Sequence, residues 1–345
     1  MILIGEKDSR RTEYFLNAAK EVDLKIVFVE WPSIDEWRSF DLSSFEGEFI
    51  KIDPPPMGNI SVEEIDTWAN EYVAFLNRFK DYNMKMLNNV DSLINVLDKL
   101  RCKQILQAAG IAVTSLIEMS DRRVSCLNEL KSLMLEKKIY SIFIKSRYGS
   151  GASGILAYKI NPKNFAEFLY TSSIMKNGCI YNTKKLRKLT EKSEIELIAN
   201  ALLQKECAIE EWMPKAKNNG KFYDLRVVFQ FGAVEHIVVR QSEGCITNLH
   251  LNNDALPINE LQLDKQVLNN IEALCKNALA LFPGLNIAGV DILLEKDTLN
   301  PYIIEINGQG DLIYNDIFQE NRIYKAQIEY VKSCNSQNMG VNYLS

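Results

Sequence analysis

Short apolar runs alternate with amphipathic stretches from the first residue onward. Met1 to Gly5 is apolar, Ser9 is placed to cap a helix running to about Val22, and Lys25 to Val29 is a second run rich in β-branched residues. Together they predict the opening of a β-α-β unit. A turn-rich stretch, Asp53 to Asn59, follows, and helical periodicity resumes at Ser61 with Ile65, Trp68, Ala69, Tyr72, Phe75, Leu76 and Phe79 on one stripe. These elements define an N-terminal α/β domain over residues 1–92. Ser92 to Ala109 reads as one amphipathic helix stopped at Gly110, followed by a strand-like IFIK, a glycine-rich loop and a second strand, Ile155 to Ile160. Residues 163–206 read mainly as helices around a basic segment, Lys184 to Lys188, closing a central unit over 93–206. From Cys207 the pattern is mixed: strands at 207–213, 224–231 and 234–240, a helix at about 264–282, two more strands and a closing helix, forming a unit over 207–334. The polar tail, 335–345, reads as frayed. The fold class is α/β with α+β segments.

Composition narrows the function classes. At 345 residues with 47% hydrophobic and 25% charged positions, the chain is long enough for two or three domains. Its longest apolar runs fall far short of the ~20 residues that span a bilayer, so no membrane partner is expected. The N-terminus places its charges after its apolar run, the reverse of a secretory signal, and the seven scattered cysteines include no CxxC pair. A cytoplasmic protein with reduced thiols is the expectation. A net charge of -5 argues against nucleic acid as a partner. With His236 and His250 the only histidines, chemistry has to rest on Lys, Arg, Asp, Glu and Asn.

Near the C-terminus, GVDILLE is followed by the turn-like KDTLN and then PYIIEIN. Folded as a hairpin about Thr298, the two strands set Asp291 opposite Glu305 and Leu293 opposite Ile303. Alternation then puts Asp291, Glu305 and Asn307 on one face of a buried sheet, where two carboxylates and an amide need a compensating cation. Oxygen-only ligation suits magnesium, with manganese as an alternative ion.

A second constellation is Lys145-Ser146-Arg147-Tyr148-Gly149-Ser150-Gly151-Ala152-Ser153-Gly154. It contains GxGxxG but leads into a strand, whereas a dinucleotide fingerprint leads into a helix. Such a turn can be an ordinary hairpin, or it can fold over a triphosphate with its backbone N–H groups while the preceding lysine supplies positive charge.

From about residue 95 to 330 these motifs resemble the ATP-grasp superfamily of carboxylate-amine ligases. Asp98-Lys99-Leu100-Arg101-Cys102-Lys103 followed by QILQAAGIAV is similar to the start of the central domain in the D-alanine-D-alanine ligases and the ribosomal-protein glutamate ligases. Cys207 to Met213 resembles the adenine hinge, Tyr223-Asp224-Leu225-Arg226 the D-[LI]-R strand, and Arg240 to Gly244 with Thr247 to His250 the R-x-x-x-G…SNLH stretch. The resemblance implies an ATP-grasp fold with a Rossmann-like N-terminal domain, a central domain and a C-terminal mixed sheet. It assigns Lys99, Lys145, Ser150, Gly151, Ala152 and Ser153 to the phosphates of ATP. Glu210, Glu211, Trp212 and Met213 fall to adenine, Asp224 to the ribose, and Asn248 to the nucleotide or its metal. Arg226 and Arg240 become the catalytic cations, and Asp291, Glu305 and Asn307 the ligands of one or two Mg2+ ions. Two departures stand out: Gly308-Gln309-Gly310-Asp311 lacks the serine or proline common before the glycine, and Pro214 to Lys217 lacks the acid usual after the hinge.

The implied reaction activates a carboxylate as an acyl-phosphate and couples it to an amine, with ADP and phosphate released. A phosphotransferase on the same fold and a non-catalytic ATP-binding protein are the alternatives. Small-molecule or peptide carboxylates and amines are the expected partners, and a homodimer is a family-level expectation. Arg10 and Arg11 open the first helix, where the dipole disfavours cations unless an anion is close, so one of them is a candidate for a substrate carboxylate beside the plainer reading of surface charge. Lys184, Lys185, Arg187 and Lys188 are a candidate surface for an acidic peptide, or simply a solvated face.

Overall fold

The computed structural model describes residues 1–117, 123–149, 151–309 and 320–341, with side chains described through residue 334. In chain order the elements begin β1 (Ile2–Gly5), α1 (Arg10–Glu21), β2 (Val27–Glu30), β3 (Phe49–Ile52), α2 (Val62–Arg78) and β4 (Lys85–Met86). Then come α3 (Val90–Leu97), α4 (Lys99–Ala108), α5 (Leu127–Glu136), β5 (Ser141–Ser146), β6 (Ile155–Ile160), β7 (Glu167–Lys176), β8 (Cys179–Leu189), α6 (Lys192–Leu203) and β9 (Cys207–Glu211). The last group is β10 (Lys217–Asn218), β11 (Lys221–Gln230), β12 (Ala233–Ser242), β13 (Asp254–Pro257), α7 (Lys265–Leu279), β14 (Ile287–Leu294), β15 (Pro301–Asn307) and α8 (Arg322–Val341).

Three sheets result. The N-terminal one is parallel, in the order β2-β1-β3-β4, because each strand is reached by a crossover. Ser9 caps α1 by accepting from the Thr12 N–H, and Ser61 and Glu64 form a capping box on α2, as their positions in sequence predict. The central sheet is antiparallel, β8-β7-β6-β5-β9, and the C-terminal sheet runs β13-β12-β11-β14-β15 with β10 paired to β11.

Three expectations are corrected. Residues 163–206 are not mainly helical: β7 and β8 form a hairpin through Asn177 and Gly178, both at positive φ (51° and 79°), and only α6 is a helix. An Asn-Gly pair in this conformation is the turn that joins two twisted strands. The single helix expected over 92–109 breaks at Asp98, whose ψ of 99° is extended and whose carboxylate caps α4 at the Arg101 N–H. Third, α8 continues to Val341, through part of the stretch read as a frayed tail.

The ends of the chain lock the sheets together. Asn88, just past β4, donates to the Ile287 and Gly308 carbonyls and accepts from the Ile287 N–H, stitching the N-terminal sheet to β14 and β15. α8 packs on α1 through an edge-on Phe15–Tyr324 contact at 5.8 Å. Among the described residues no helix is long and apolar enough to cross a membrane.

His236 on β12 lies close to this junction. Burial, with Arg322 adding to it, pushes its imidazolium down from 6.5 to about 4. Between those values the unfolded chain binds the proton that the folded chain excludes, so stability is lost as pH falls through this window. Wild type is expected to lose about 1 kcal/mol more than His236→Gln between pH 7 and 5, after a discount for partial exposure, as read from denaturant midpoints.

Candidate active site

The floor of the site is the C-terminal sheet. Antiparallel register sets Asp291 against Glu305 and Gly289 against Asn307 across β14 and β15, as the hairpin pattern predicts. On the other side Arg226 of β11 faces Asp291, and Arg240 of β12 faces Asp224. Alternation therefore gathers Asp224, Arg226, Arg240, Asp291, Glu305 and Asn307 onto one face. The expected Leu293–Ile303 pair does not form. A bulge shifts the register by one, so that Ile292 faces Ile303, Leu293 faces Tyr302, and Ile304 is the extra residue.

Cations crowd the two acids. The Arg226 Nε donates to Asp291 Oδ1 at 2.5 Å and Arg240 Nη1 to Asp291 Oδ2 at 3.1 Å. Lys99 Nζ reaches Glu305 Oε1 at 2.8 Å. Asp224 sits beneath, accepting from Arg240 Nε at 2.6 Å, Lys215 Nζ at 3.1 Å and the Thr247 hydroxyl. Burial alone would push the Asp224 carboxyl up, but Arg240 and Lys215 outweigh it and hold it well below the usual carboxylate range. Burial likewise works against the Arg240 charge, and Asp224 and Asp291 override it, raising its affinity for the proton.

The break at Asp98 positions Lys99. Asp98 accepts from Arg147 Nε and Nη2 at 2.8 and 2.6 Å, and the Lys99 N–H donates to the Arg147 carbonyl at 3.0 Å, so the start of α4 is clamped to the strand that leads into the glycine loop. Lys99 thus opens a helix whose positive end adds to its own charge. The loop is tight: a Cβ on Gly149 would meet the Ser153 carbonyl at 2.4 Å, and one on Gly154, at φ +64°, would meet Ser146 Cβ at 2.7 Å. It rests on the β7–β8 hairpin, since Asn182 Nδ2 donates to the Gly151 carbonyl at 3.1 Å.

Below Lys99 lies a buried network that joins Lys145 and Glu210, both named from the sequence, to Lys103 and Thr114, which carry no role read from the sequence. Lys145 Nζ donates to Glu210 Oε2 at 2.8 Å, and the Thr114 hydroxyl donates to the same oxygen at 2.6 Å. Lys103, one helical turn beyond Lys99, donates to Thr114 Oγ1 at 2.7 Å and to the Ile304 carbonyl at 2.8 Å, and stands 3.4 Å from Glu210. Its ammonium therefore satisfies the bulge residue and ties the hinge strand β9 to β15. Burial pushes Lys103 down to about 8, with Glu210 acting in the other direction, while Glu210 is held low by Lys103 and Lys145 against the effect of its own burial. The i,i+4 spacing from Lys99 was the available signal. Lys103→Met should cost about 2–3 kcal/mol in a denaturant titration, because it leaves the Ile304 carbonyl without its ammonium donor and Glu210 with one cation fewer.

A cleft of about 470 Å³ runs above the floor. Of the residues picked out in the sequence it is lined by Arg11, Lys99, Gly151, Ala152, Arg226, Arg240, Asn248, Asp291, Glu305 and Asn307. Lys145 and Glu210 line a small adjoining cavity together with Lys99, Lys103 and Glu305. The rest lie apart from these spaces: Arg10 and Glu211 are exposed, Trp212 packs on Phe143 at 5.2 Å, Asp224 is under Arg240, and Met213 and Ser153 line neither cavity. Ser150 lies outside the described residues. Asn248 caps a short turn by accepting from the His250 N–H at 2.9 Å. Arg11 Nη1 donates to the Gln309 carbonyl at 2.8 Å.

Among the described residues no group of three or more His, Cys, Asp or Glu side chains is placed to hold a metal ion. Asp291 and Glu305 face each other with the carboxamide of Asn307 beside them, an all-oxygen donor set whose charge Lys99 and the arginines offset here. That chemistry fits Mg2+, which takes few protein ligands and keeps waters and phosphate oxygens.

A model of the YheC/D-like ATP-grasp family matches residues 85–333. No curated protein matches the chain in sequence. Among solved structures, the D-cycloserine synthetase DcsG is similar over 96% of this chain and 99% of its own, with TM-score 0.58 and 15% identity. The macrocyclase MdnC of Microcystis aeruginosa MRC, bound with its precursor peptide MdnA, is similar over 96% of this chain and 100% of its own (TM-score 0.58, 12% identity). D-alanine–D-alanine ligase of Bacillus anthracis complexed with ATP is similar over 98% and 99% (TM-score 0.55, 12% identity). At these identities the likeness shows the fold.

Proposed function

Because this chain belongs to the YheC/D-like ATP-grasp family, we propose that it is an ATP- and Mg2+-dependent ligase that joins a carboxylate to an amine. The observation that carries this reading is the convergence in one cleft of Asp291, Glu305 and Asn307 with Lys99, Arg226 and Arg240. Solved structures of the same fold support it, since they include a complex with ATP and one with Mg and ADP.

In this reading Lys99 and the N–H groups of the Gly149–Gly154 loop hold the phosphates, with Lys145 behind them. The hinge from Glu210 to Met213, of which Glu210 lines the small cavity beside Lys99, receives adenine, and the Lys103–Thr114–Glu210 network ties that strand to β15. Asp291, Glu305 and Asn307 would hold Mg2+, which when bound neutralises phosphate charge. With nucleotide and Mg2+ bound, Lys99 and Arg226, which here pair with Glu305 and Asp291, would serve the phosphates and the two acids would serve as ligands of the ion.

A substrate carboxylate oxygen attacks the γ-phosphorus, and the bond to the β–γ bridging oxygen breaks with its electron pair leaving on ADP. Arg226 and Arg240 stabilise the charge on the transferring phosphoryl group. The amine nitrogen then adds to the acyl carbon, phosphate leaves with the C–O electron pair, and the nitrogen loses a proton to give the amide. Phosphorylation is the physical requirement, since a bare carboxylate has no leaving group.

The test is ADP formation by purified protein over a panel of carboxylates and amines with ATP and Mg2+, with products read by mass spectrometry. A coupled amide whose yield matches the ADP is the expected result. ADP with an accumulating phosphorylated acid and no dependence on amine would mark a phosphotransferase, and no ADP with any pair would refute the reading.

A further inference from the structure

One wall of the cleft has a different character. It is built by Pro54 and Met57 from the loop after β3, Trp68 from α2, and Leu93, Val96 and Leu97 from α3, of which Val96 also lines the small cavity beside Lys99 and Glu305. Trp68 is held in place by an aromatic cluster, edge-on to buried Trp37 at 6.1 Å and against Tyr72 at 5.5 Å.

The polar groups beside this wall engage one another. Tyr72 donates its hydroxyl to Gln309 Oε1 at 2.7 Å, Gln309 Nε2 donates to the Ile52 carbonyl at 2.7 Å, and Arg11 donates to the Gln309 carbonyl at 2.8 Å. Arg11, raised above as a candidate for a substrate carboxylate, here fixes the residue that follows Gly308. The acids that line this cleft, Asp291 and Glu305, are paired with Arg226, Arg240 and Lys99. A charged group entering between Trp68 and Leu97 would lose water against apolar side chains, whereas an apolar group would gain by burial.

Resting on the ligase reading, we infer that the carboxylate substrate carries an apolar group of leucine-to-phenylalanine size, seated between Trp68 and the α3 residues Leu93, Val96 and Leu97 while its carboxylate lies over the Asp291–Glu305 floor. The apolar wall and the floor line one continuous cavity, and α3 leads through Asp98 directly into Lys99, so a single molecule reaches both. Selectivity comes from area: seating an aromatic ring should strengthen binding by about 30- to 100-fold over acetate.

Binding of acetate, 4-methylpentanoate, 3-phenylpropanoate, glutarate and 6-aminohexanoate to the full chain, saturated with Mg2+ and a non-hydrolysable ATP analogue, is measured by calorimetry. The same acids are assayed for ADP formation with hydroxylamine as the trapping amine. The expected order places 3-phenylpropanoate and 4-methylpentanoate about 30-fold or more ahead of acetate, glutarate and 6-aminohexanoate. Trp68→Ala should bring the apolar acids to within about 5-fold of acetate, and Trp68→Phe should keep most of the preference. Equal or tighter binding of glutarate, or no binding of either apolar acid, overturns the inference, and the wild-type panel decides this even if a variant fails to fold. Hydroxamate from glutarate alone would sink it and leave the ligase reading intact. Selective binding of 3-phenylpropanoate without ADP from any acid would uphold the apolar seat and sink the ligase reading instead.

Discussion

Asp291→Asn is expected to lower ADP formation by about 10³-fold while the protein still binds nucleotide without metal. The side chain is nearly isosteric, but its charge is gone, and two arginines as well as the proposed ion depend on that charge. In the structure Arg226 and Arg240 donate to both Asp291 oxygens, at 2.5 and 3.1 Å. Two explanations of a damaged variant therefore compete. If Asp291 serves only as an anchor for the arginines, the loss should be the same at every Mg2+ concentration. If it ligates the ion, the Mg2+ needed for half-maximal rate should rise by about tenfold or more, and the residual rate should climb with added Mg2+. The control is Glu305→Gln, whose carboxylate is paired with Lys99 and with neither arginine. A shared rise in Mg2+ requirement for both variants isolates the metal role; an unchanged requirement in both would remove it.

The reason this face could be read from sequence is local. Two strands joined by a short turn keep a constant pairing sum, and counting about Thr298 puts Asp291 opposite Glu305; the structure has that pairing, but the strands leave the turn one register off, with Leu294 facing Pro301, and the bulge restores it. The bulge at Ile304 could not be counted, because the extra residue is held by Lys103, which lies some two hundred positions earlier, on α4. Lys103 itself sits at a legible spacing from Lys99, but its partners Thr114, Glu210 and Ile304 come from three separate segments. The hairpin of β7 and β8 was missed for another reason. Its outer strand, β8, lies on the sheet edge and carries lysines and half-buried residues, which blurs the period of two, and only Asn177-Gly178 marks the turn. β3 is four residues long and buried on both faces, too short for periodicity to register. Its position beside β1 nonetheless sets where the loop holding Pro54 and Met57 meets the cleft.

Replacing Arg240 with Met should destabilise the fold by about 3–5 kcal/mol and also reduce phosphoryl transfer. Arg240 is 6% exposed and bridges two carboxylates, donating to Asp224 at 2.6 Å and to Asp291 at 3.1 Å. Met fills similar volume, so the cost is electrostatic: Asp224 keeps Lys215 and Thr247, Asp291 keeps Arg226, and each buried acid is under-compensated. Arg240→Lys should recover only a fraction, since one ammonium cannot reproduce a planar fork that reaches two acids at once. The sign of the pH dependence separates this from a packing defect. In wild type the depressed Asp224 carboxyl contributes stability that is present above its ordinary value of 3.8 and is lost as pH falls through its lower folded-state value. Without Arg240 that depression shrinks, so the gap between variant and wild type should be widest near neutrality and narrow as pH drops below about 4. Denaturant midpoints at stepped pH measure it. Asp224→Asn introduced into the Arg240→Met background should then restore part of the loss, because it removes the acid that the missing guanidinium no longer balances. A gap that is constant with pH, or a double variant weaker than the sum of its singles, would mean that Arg240 contributes through its shape and not its charge.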